Sequence, residues 1–156
     1  MDTDGVLKYA FKGEVTKDSV IQFYEDLNAK KLEPFFKSEP IPSEPFEGNV
    51  KKIVSDNYEA EVIHKDIDLF VMFHLPWCDH CKELMPIFHE IADELSSTNS
   101  LILAKIDSSL NEVKGVSVPT FPTLLYYKKG SKEKPILFTE EQRTKELLKN
   151  FIKGIQ

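Results

Sequence analysis

The chain has 156 residues, of which 41% are hydrophobic and 29% charged, a mix that buries a core and excludes wholesale disorder. Its length accommodates one ordinary domain and roughly fifty further residues. Its 20 basic and 26 acidic side chains leave a net charge of −6, which gives no electrostatic footprint for nucleic acid or an anionic membrane, and the apolar run Leu69–Phe73 is far too short to cross a bilayer.

In chain order, Val6–Phe11 reads as a short strand. Thr16 or Ser19 then caps a helix running to Ala29, with Val20, Ile21, Phe23, Tyr24 and Leu27 at its apolar positions. One strand and one helix enclose no core, so residues 1–32 are expected to be the end of a preceding domain. Neither Met1–Gly5 nor the tail Lys153–Gln156 carries a secretory or retention signal, as expected of a piece of a longer precursor. Over residues 33–47, Pro34, Pro40, Pro42 and Pro45 alternate with Glu33, Glu39, Glu44 and Glu47. Each proline fixes φ and removes a backbone donor, which predicts an extended linker, with Phe35, Phe36 and Phe46 docking on a neighbouring surface.

Residues 48–156 show a strand–helix rhythm. Val50–Val54 reads as a strand and Asn57–His64 as a short helix. Leu69–Phe73, apolar throughout, suits a central strand covered on both faces. From Cys78 to Leu95, the positions Leu84, Ile87, Phe88, Ile91, Ala92 and Leu95 recur at helical spacing, with Pro86 expected to kink the helix. Leu101–Ile106 is another strand, followed by a helical turn near Leu110–Val113. Thr123–Lys128 and Pro135–Phe138 flank Lys129-Gly130-Ser131 as a hairpin, and a last helix covers about Thr144–Ile152 with Leu147, Leu148, Phe151 and Ile152 inward. The alternation predicts an α/β domain with an antiparallel hairpin at one edge.

Trp77-Cys78-Asp79-His80-Cys81 falls where the buried strand gives way to the long helix. Cys78 at that helix start meets unpaired amide N–H groups and the positive end of the macrodipole, which favour a thiolate, the form that attacks disulfides. Cys81, one turn further in, is expected to be buried and to resolve the mixed disulfide. His80 supplies a positive charge or a hydrogen bond that stabilises the reduced pair, whereas Asp79 opposes it; with Asp79 exposed and screened, a moderately oxidising couple is expected. The spacing also admits a structural disulfide, or a zinc site drawing on His74, His80 or His89.

Phe70-Val-Met-Phe-His-Leu-Pro-Trp-Cys-Asp-His-Cys-Lys82, Ala104-Lys-Ile-Asp107, Asn111-Glu-Val113 and Thr120-Phe-Pro-Thr123 together closely resemble the thioredoxin superfamily and, within it, the protein disulfide isomerases. The resemblance covers roughly Gly48–Gly154 and matches that family's second catalytic domain. It implies a thioredoxin fold, with a central mixed sheet flanked by helices, over residues 48–156. Residues 1–32 and 33–47 are then the end of the substrate-binding domain and its connector. It implies a thiol–disulfide oxidoreductase and isomerase of the endoplasmic reticulum lumen that uses no cofactor and no metal. The partners it implies are reduced or misoxidised client proteins, and glutathione or an upstream thiol oxidase.

By the same resemblance Cys78, Cys81 and His80 are catalytic, and Trp77, Phe121 and Pro122 contact substrate, with Pro122 in the cis form; an ordinary trans proline is the alternative. Arg143, the only arginine, matches a residue that moves towards the second cysteine and favours its ionisation; the alternative is a solvated surface charge. Two departures stand out: Asp79 replaces a common glycine, and Met72 replaces a buried glutamate held to accept the proton of the second cysteine. His74 lies on the same strand face as Met72 and is a substitute acceptor or a packed histidine; His64 and His89 read as surface or helix residues. A client-binding chaperone with weak redox activity, and a cytosolic reductant, are the competing functions; the reductants carry proline where His80 stands.

Overall fold

A run such as Leu69–Phe73, with no polar face, is stable only where both sides are covered, and the computed structural model builds a sheet around it. Residues 7–156 are described and fall into two compact units, residues 7–36 and 37–156. In the first, α1 (Lys17–Asn28) begins at Thr16, whose hydroxyl oxygen accepts from the Ser19 amide at 3.2 Å while Ser19 Oγ accepts from the Thr16 amide at 2.9 Å. This reciprocal arrangement satisfies donors that a helix start leaves open. No residue of α1 is buried, and Phe23 meets Phe11 edge-on at 5.4 Å between ring centroids. The strand expected at Val6–Phe11 does not form over residues 7–11, and Val6 lies outside the described residues. A strand requires a ladder; within this unit a backbone bond from the Phe35 amide to the Lys8 carbonyl, 2.7 Å, ties the stretch instead.

The second unit contains, in order, β1 (Phe46–Glu47), β2 (Val50–Lys52), α2 (Ser55–Tyr58) running on as a π-helical turn over Glu59–Ile63, β3 (Asp68–His74), α3 (Asp79–Leu95), β4 (Leu101–Asp107), β5 (Thr123–Tyr127), β6 (Ile136–Leu137) and α4 (Lys145–Ile155). The six strands form one mixed sheet in the order β1-β2-β4-β3-β5-β6. The β2–β4 and β3–β4 pairs are parallel and the other three antiparallel. This is the α/β architecture expected from the strand–helix alternation, with the edge hairpin at β5–β6.

Alternation along β3 divides the core between the two sheet faces. Phe70 and Met72 pack with Leu84 and Phe88 of α3 and Leu148 of α4. Leu69, Val71 and Phe73 pack on the other side with Tyr58 and Val62. The hairpin β1–β2 closes through Gly48, whose φ of +59° is the left-handed conformation that glycine adopts without a Cβ clash.

Two segments differ from their sequence patterns. The helical turn expected near Leu110–Val113 falls earlier, over Asp107–Asn111, where the Leu110 and Asn111 amides donate to the Asp107 carbonyl at 3.2 and 3.0 Å, and it does not continue to Val113. The Asn111 carboxamide explains why: its oxygen accepts from the Glu39 amide at 3.1 Å and the Ser55 amide at 3.0 Å, and its nitrogen donates to Glu39 Oε2 at 2.8 Å. A side chain that ties three backbone segments fixes a local path no helix follows. By the same bonds, Ser38 and Glu39 lie against the sheet domain, and Phe46–Glu47 joins its edge.

Phe70 is fully buried, with ring centroids 5.7 Å from Phe88, 6.0 Å from Tyr126 and 5.7 Å from Phe151. Phe70→Ala is expected to destabilise the domain by about 3–5 kcal/mol, read from the denaturant midpoint at unchanged slope.

Candidate active site

The buried strand β3 ends at His74, and the chain turns through Leu75, Pro76 and the exposed Trp77 into α3. The Cys78 amide donates to the Leu75 carbonyl at 3.2 Å, and the Lys82 amide to the Cys78 carbonyl at 3.0 Å. Cys78 is thus the N-cap residue of a 17-residue helix, in an extended conformation, with no side-chain bond to the open amides of the first turn. Half-exposed, it is bonded to the loop before β5: Cys78 Sγ lies 3.7 Å from the Phe121 carbonyl oxygen. Phe121–Pro122 is a cis peptide, Pro122 is buried, and Thr123 Oγ1 donates to the Thr120 carbonyl at 2.7 Å.

Cys81 faces inward one turn later and is 1% exposed. Its thiol is pushed up to about 11, first by burial and next by its hydrogen bond to Cys78; a backbone hydrogen bond from Leu75 and the charge of Arg143 work the other way. The two sulfurs therefore share a hydrogen bond but not an environment: one is open to partners, the other is held protonated against the core.

The surrounding charges are mostly engaged. Lys82 Nζ lies 3.3 Å from Asp79 Oδ1, which offsets the carboxylate beside the thiols. His80 Nδ1 stands 3.7 Å from Glu83 Oε2, with both side chains 78% exposed, so this pair contributes little energetically. Arg143 is half-buried in the loop before α4 and donates to the carbonyl of its own neighbour Glu141 at 3.4 Å. Together with His80, Glu83 and the apolar floor Leu84 and Ile87, it lines a cleft of about 400 Å³ beside the first turns of α3. The sequence-predicted residues thus come together around one helix end: Cys78, Cys81, Phe121 and Pro122 in direct contact or adjacency, Arg143 within electrostatic reach, and His80 on the exposed rim. Two of the histidines considered for zinc, His80 and His89, have carboxylate neighbours. Besides the His80 contact, His89 Nε2 lies 3.5 Å from Glu47 Oε1, and among the described residues no three His, Cys, Asp or Glu side chains converge on a metal-sized site.

Sequence reading missed a charged group beside Met72 in the sheet. Met72 is fully buried, and its neighbour in register on β4 is Lys105. Lys105 has a side chain only 12% exposed and an ion pair to Glu47 of β1 at 2.9 Å. That bond is the main cause holding the Glu47 carboxyl below its ordinary value. A lysine inside the otherwise apolar stretch Leu101–Ile106 was the available signal.

If the guanidinium acts on Cys81 as its position indicates, Arg143→Gln slows alkylation of Cys81 at pH 8 about threefold in a Cys78→Ser background, because fewer thiolates are present below the thiol's titration. An unchanged rate reduces Arg143 to a surface cation.

The Thioredoxin family model matches residues 49–154. Over 137 residues the chain is 36% identical to protein disulfide isomerase-like 1-4 of Arabidopsis thaliana, covering 88% of this chain and 23% of that protein. Over 144 residues it is 40% identical to the protein disulfide-isomerase of Aspergillus niger, covering 90% of this chain and 27% of that one. The chain thus spans about a quarter of the length of these relatives. The solved first thioredoxin domain of mouse protein disulfide-isomerase A4 superposes with a TM-score of 0.58 at 25% identity, over 72% of this chain and 81% of that one. Matched over most of its length and carrying the fold, the chain belongs to the thioredoxin family.

Proposed function

We propose that the chain is the catalytic part of a thiol–disulfide oxidoreductase and isomerase, acting through Cys78 and Cys81 on disulfides of folding proteins. The observation that carries this reading is the unequal burial of two hydrogen-bonded thiols at one helix start. Cys78 is the N-cap residue of α3, and the open amides of a helix start favour negative charge there. In oxidation, a client thiolate attacks the Cys78 sulfur of the Cys78–Cys81 disulfide, Cys81 leaves as a thiolate, and a second client thiol displaces Cys78; the client loses two electrons and the pair gains them. In isomerisation, reduced Cys78 attacks a client disulfide and Cys81 or a client thiol resolves the mixed species. No cofactor is required, because the electrons move between sulfurs.

Trp77, 65% exposed and next to Cys78 in the chain, Phe121, whose carbonyl meets the Cys78 sulfur, and the adjoining Pro122 are the proposed client contacts. His80 is the proposed source of positive charge near the reduced pair, and Arg143 the cation that favours ionisation of Cys81. The relatives named protein disulfide isomerase support disulfides as the substrate class; a place in the endoplasmic reticulum lumen, folding client proteins, and glutathione or a thiol oxidase as the source of oxidising equivalents are proposed with it. Residues 1–32 are read as the end of a preceding domain, 33–47 as its linker and 48–156 as the catalytic domain. No helix among the described residues is long and apolar enough to cross a membrane.

The exposed Trp77 favours a second reading, client binding without redox turnover. Oxidative refolding of a reduced client separates the two. Cys78→Ser is expected to lower the rate of disulfide formation at least 100-fold, and activity equal to the parent refutes the catalytic reading. A Cys78→Ser, Cys81→Ser variant that still suppresses client aggregation supports the binding one.

A further inference from the structure

The proline-rich segment is bonded to the sheet domain at two places. At the first, the Lys37 amide donates to Glu112 Oε2 at 3.2 Å, the Glu112 amide donates to the Lys37 carbonyl at 2.8 Å, and Lys37 Nζ donates to the Ser109 carbonyl at 2.8 Å. Ser38 Oγ accepts from the Asp56 amide at 3.0 Å, in the first turn of α2. Glu39 is held twice by the Asn111 carboxamide, whose oxygen takes its amide and whose nitrogen donates to its carboxylate. At the second place, the Pro45 carbonyl accepts from the Lys52 amide at 2.8 Å, and Phe46 and Glu47 pair with β2.

Asn111 carries the first anchor. It is 4% exposed, and besides Glu39 its oxygen serves the Ser55 amide at 3.0 Å and its nitrogen the Asp107 carbonyl at 3.0 Å. A buried carboxamide with its bonds made is costly to leave half-satisfied, so Glu39 does not exchange freely with water for its place. Between the anchors, Pro40 and Pro42 fix φ along a largely exposed span. A span already held extended loses little conformational entropy when both its ends are pinned. The prolines that read as a free tether thus suit a stiff bridge equally well. On the other side of Phe36, the Phe35 amide donates to the Lys8 carbonyl at 2.7 Å, inside the first unit.

We propose that residues 37–47 are a fixed strap of the redox domain, clasped by Asn111 and continued by β1, so that this domain begins at Lys37 and the free connector is confined to residues 33–36. The strap stands on its own bonds whether or not Cys78 is the nucleophile; only its consequence for turnover rests on that reading. At about 3.1 Å per extended residue, a connector over residues 33–36 spans about 12 Å, whereas a free spacer over residues 33–47 spans about 45 Å. The shorter figure then limits how far Cys78 and Cys81 travel from the preceding unit to meet a client.

Amide hydrogen exchange on the full chain tests the strap. The Lys37 and Glu39 amides are expected to exchange roughly 100-fold or more slowly than in an unstructured peptide of the same sequence, and unprotected rates at both overturn the proposal. In Asn111→Ala, protection at these two amides is expected to fall about tenfold further than protection of the β3 amides Leu69 to Phe73, which separates release of the strap from a general loss of stability. Protection that is unchanged, or lowered only as far as that of β3, removes Asn111 as the clasp. A lysine-specific protease gives a second readout on the unaltered chain, because Lys31 and Lys37 are both exposed and exposure alone predicts equal cutting. Cleavage at Lys37–Ser38 is expected to be about tenfold slower than at Lys31–Leu32, and equal rates overturn the strap. Undiminished disulfide formation by Cys78→Ser overturns the redox reading and leaves both of these readouts as they are.

Discussion

The chemistry of this molecule depends on where β3 stops. Because Phe70 to Phe73 are buried on both faces, the strand has no freedom to slide: a shift of one residue carries Phe70 and Met72 out of the α3 side of the core and exchanges every contact. The strand end therefore lies in a fixed place, and the turn through Leu75 to Trp77 delivers α3 from it at a fixed height. With the Cys78 amide on the Leu75 carbonyl, one thiol stands at the helix mouth, and the next inward position, Cys81, lies in the core. The difference between the two sulfurs is a consequence of strand register, not of local sequence around either one.

Electrostatics refines that difference only where water is excluded. Asp79, His80, Glu83 and Lys82 are conspicuous in the sequence, yet all four are exposed and form short-range pairs with one another. Charges in that setting are screened within about 10 Å and are worth little to each other. Arg143 and Lys105 are less visible in the sequence but sit in partly desolvated places, so each of their charges reaches further. Burial of Cys81 outweighs Arg143, which is why the thiol stays well above its ordinary titration despite a cation in the neighbourhood.

Much of this was legible in the residues. The unbroken apolar run Leu69–Phe73 and the helical spacing from Leu84 to Leu95 located the strand–helix junction, and the cysteine spacing then placed both thiols. The failures have physical causes of a different kind. A strand at Val6–Phe11 satisfied local propensity, but over residues 7–11 no ladder forms. The helical turn expected near Leu110–Val113 stops at Asn111, whose carboxamide serves Glu39 and Ser55, residues 72 and 56 positions away, and no local pattern encodes such a tie. Lys105 went unnoticed as a participant because its partner lies on a strand only two residues long, inside a segment whose prolines suggested nothing but extension.

That last contact changes what must be counted with the site. A lysine side chain 12% exposed, with Met72 as its register neighbour on β3, costs several kcal/mol if left unpaired, and Glu47 offsets that cost. Glu47 reaches Lys105 because Gly48 turns the chain at a positive φ and lays β1 along β2, which itself lies beside β4. The charge balance around His74 is thus set partly by residues that precede Gly48, and the same short strand brings Glu47 to His89 on α3. The edge hairpin over Phe46–Lys52 thereby ties the end of the proline-rich segment to the charge balance of the sheet, so trimming the chain at Gly48 removes a charge as well as a strand.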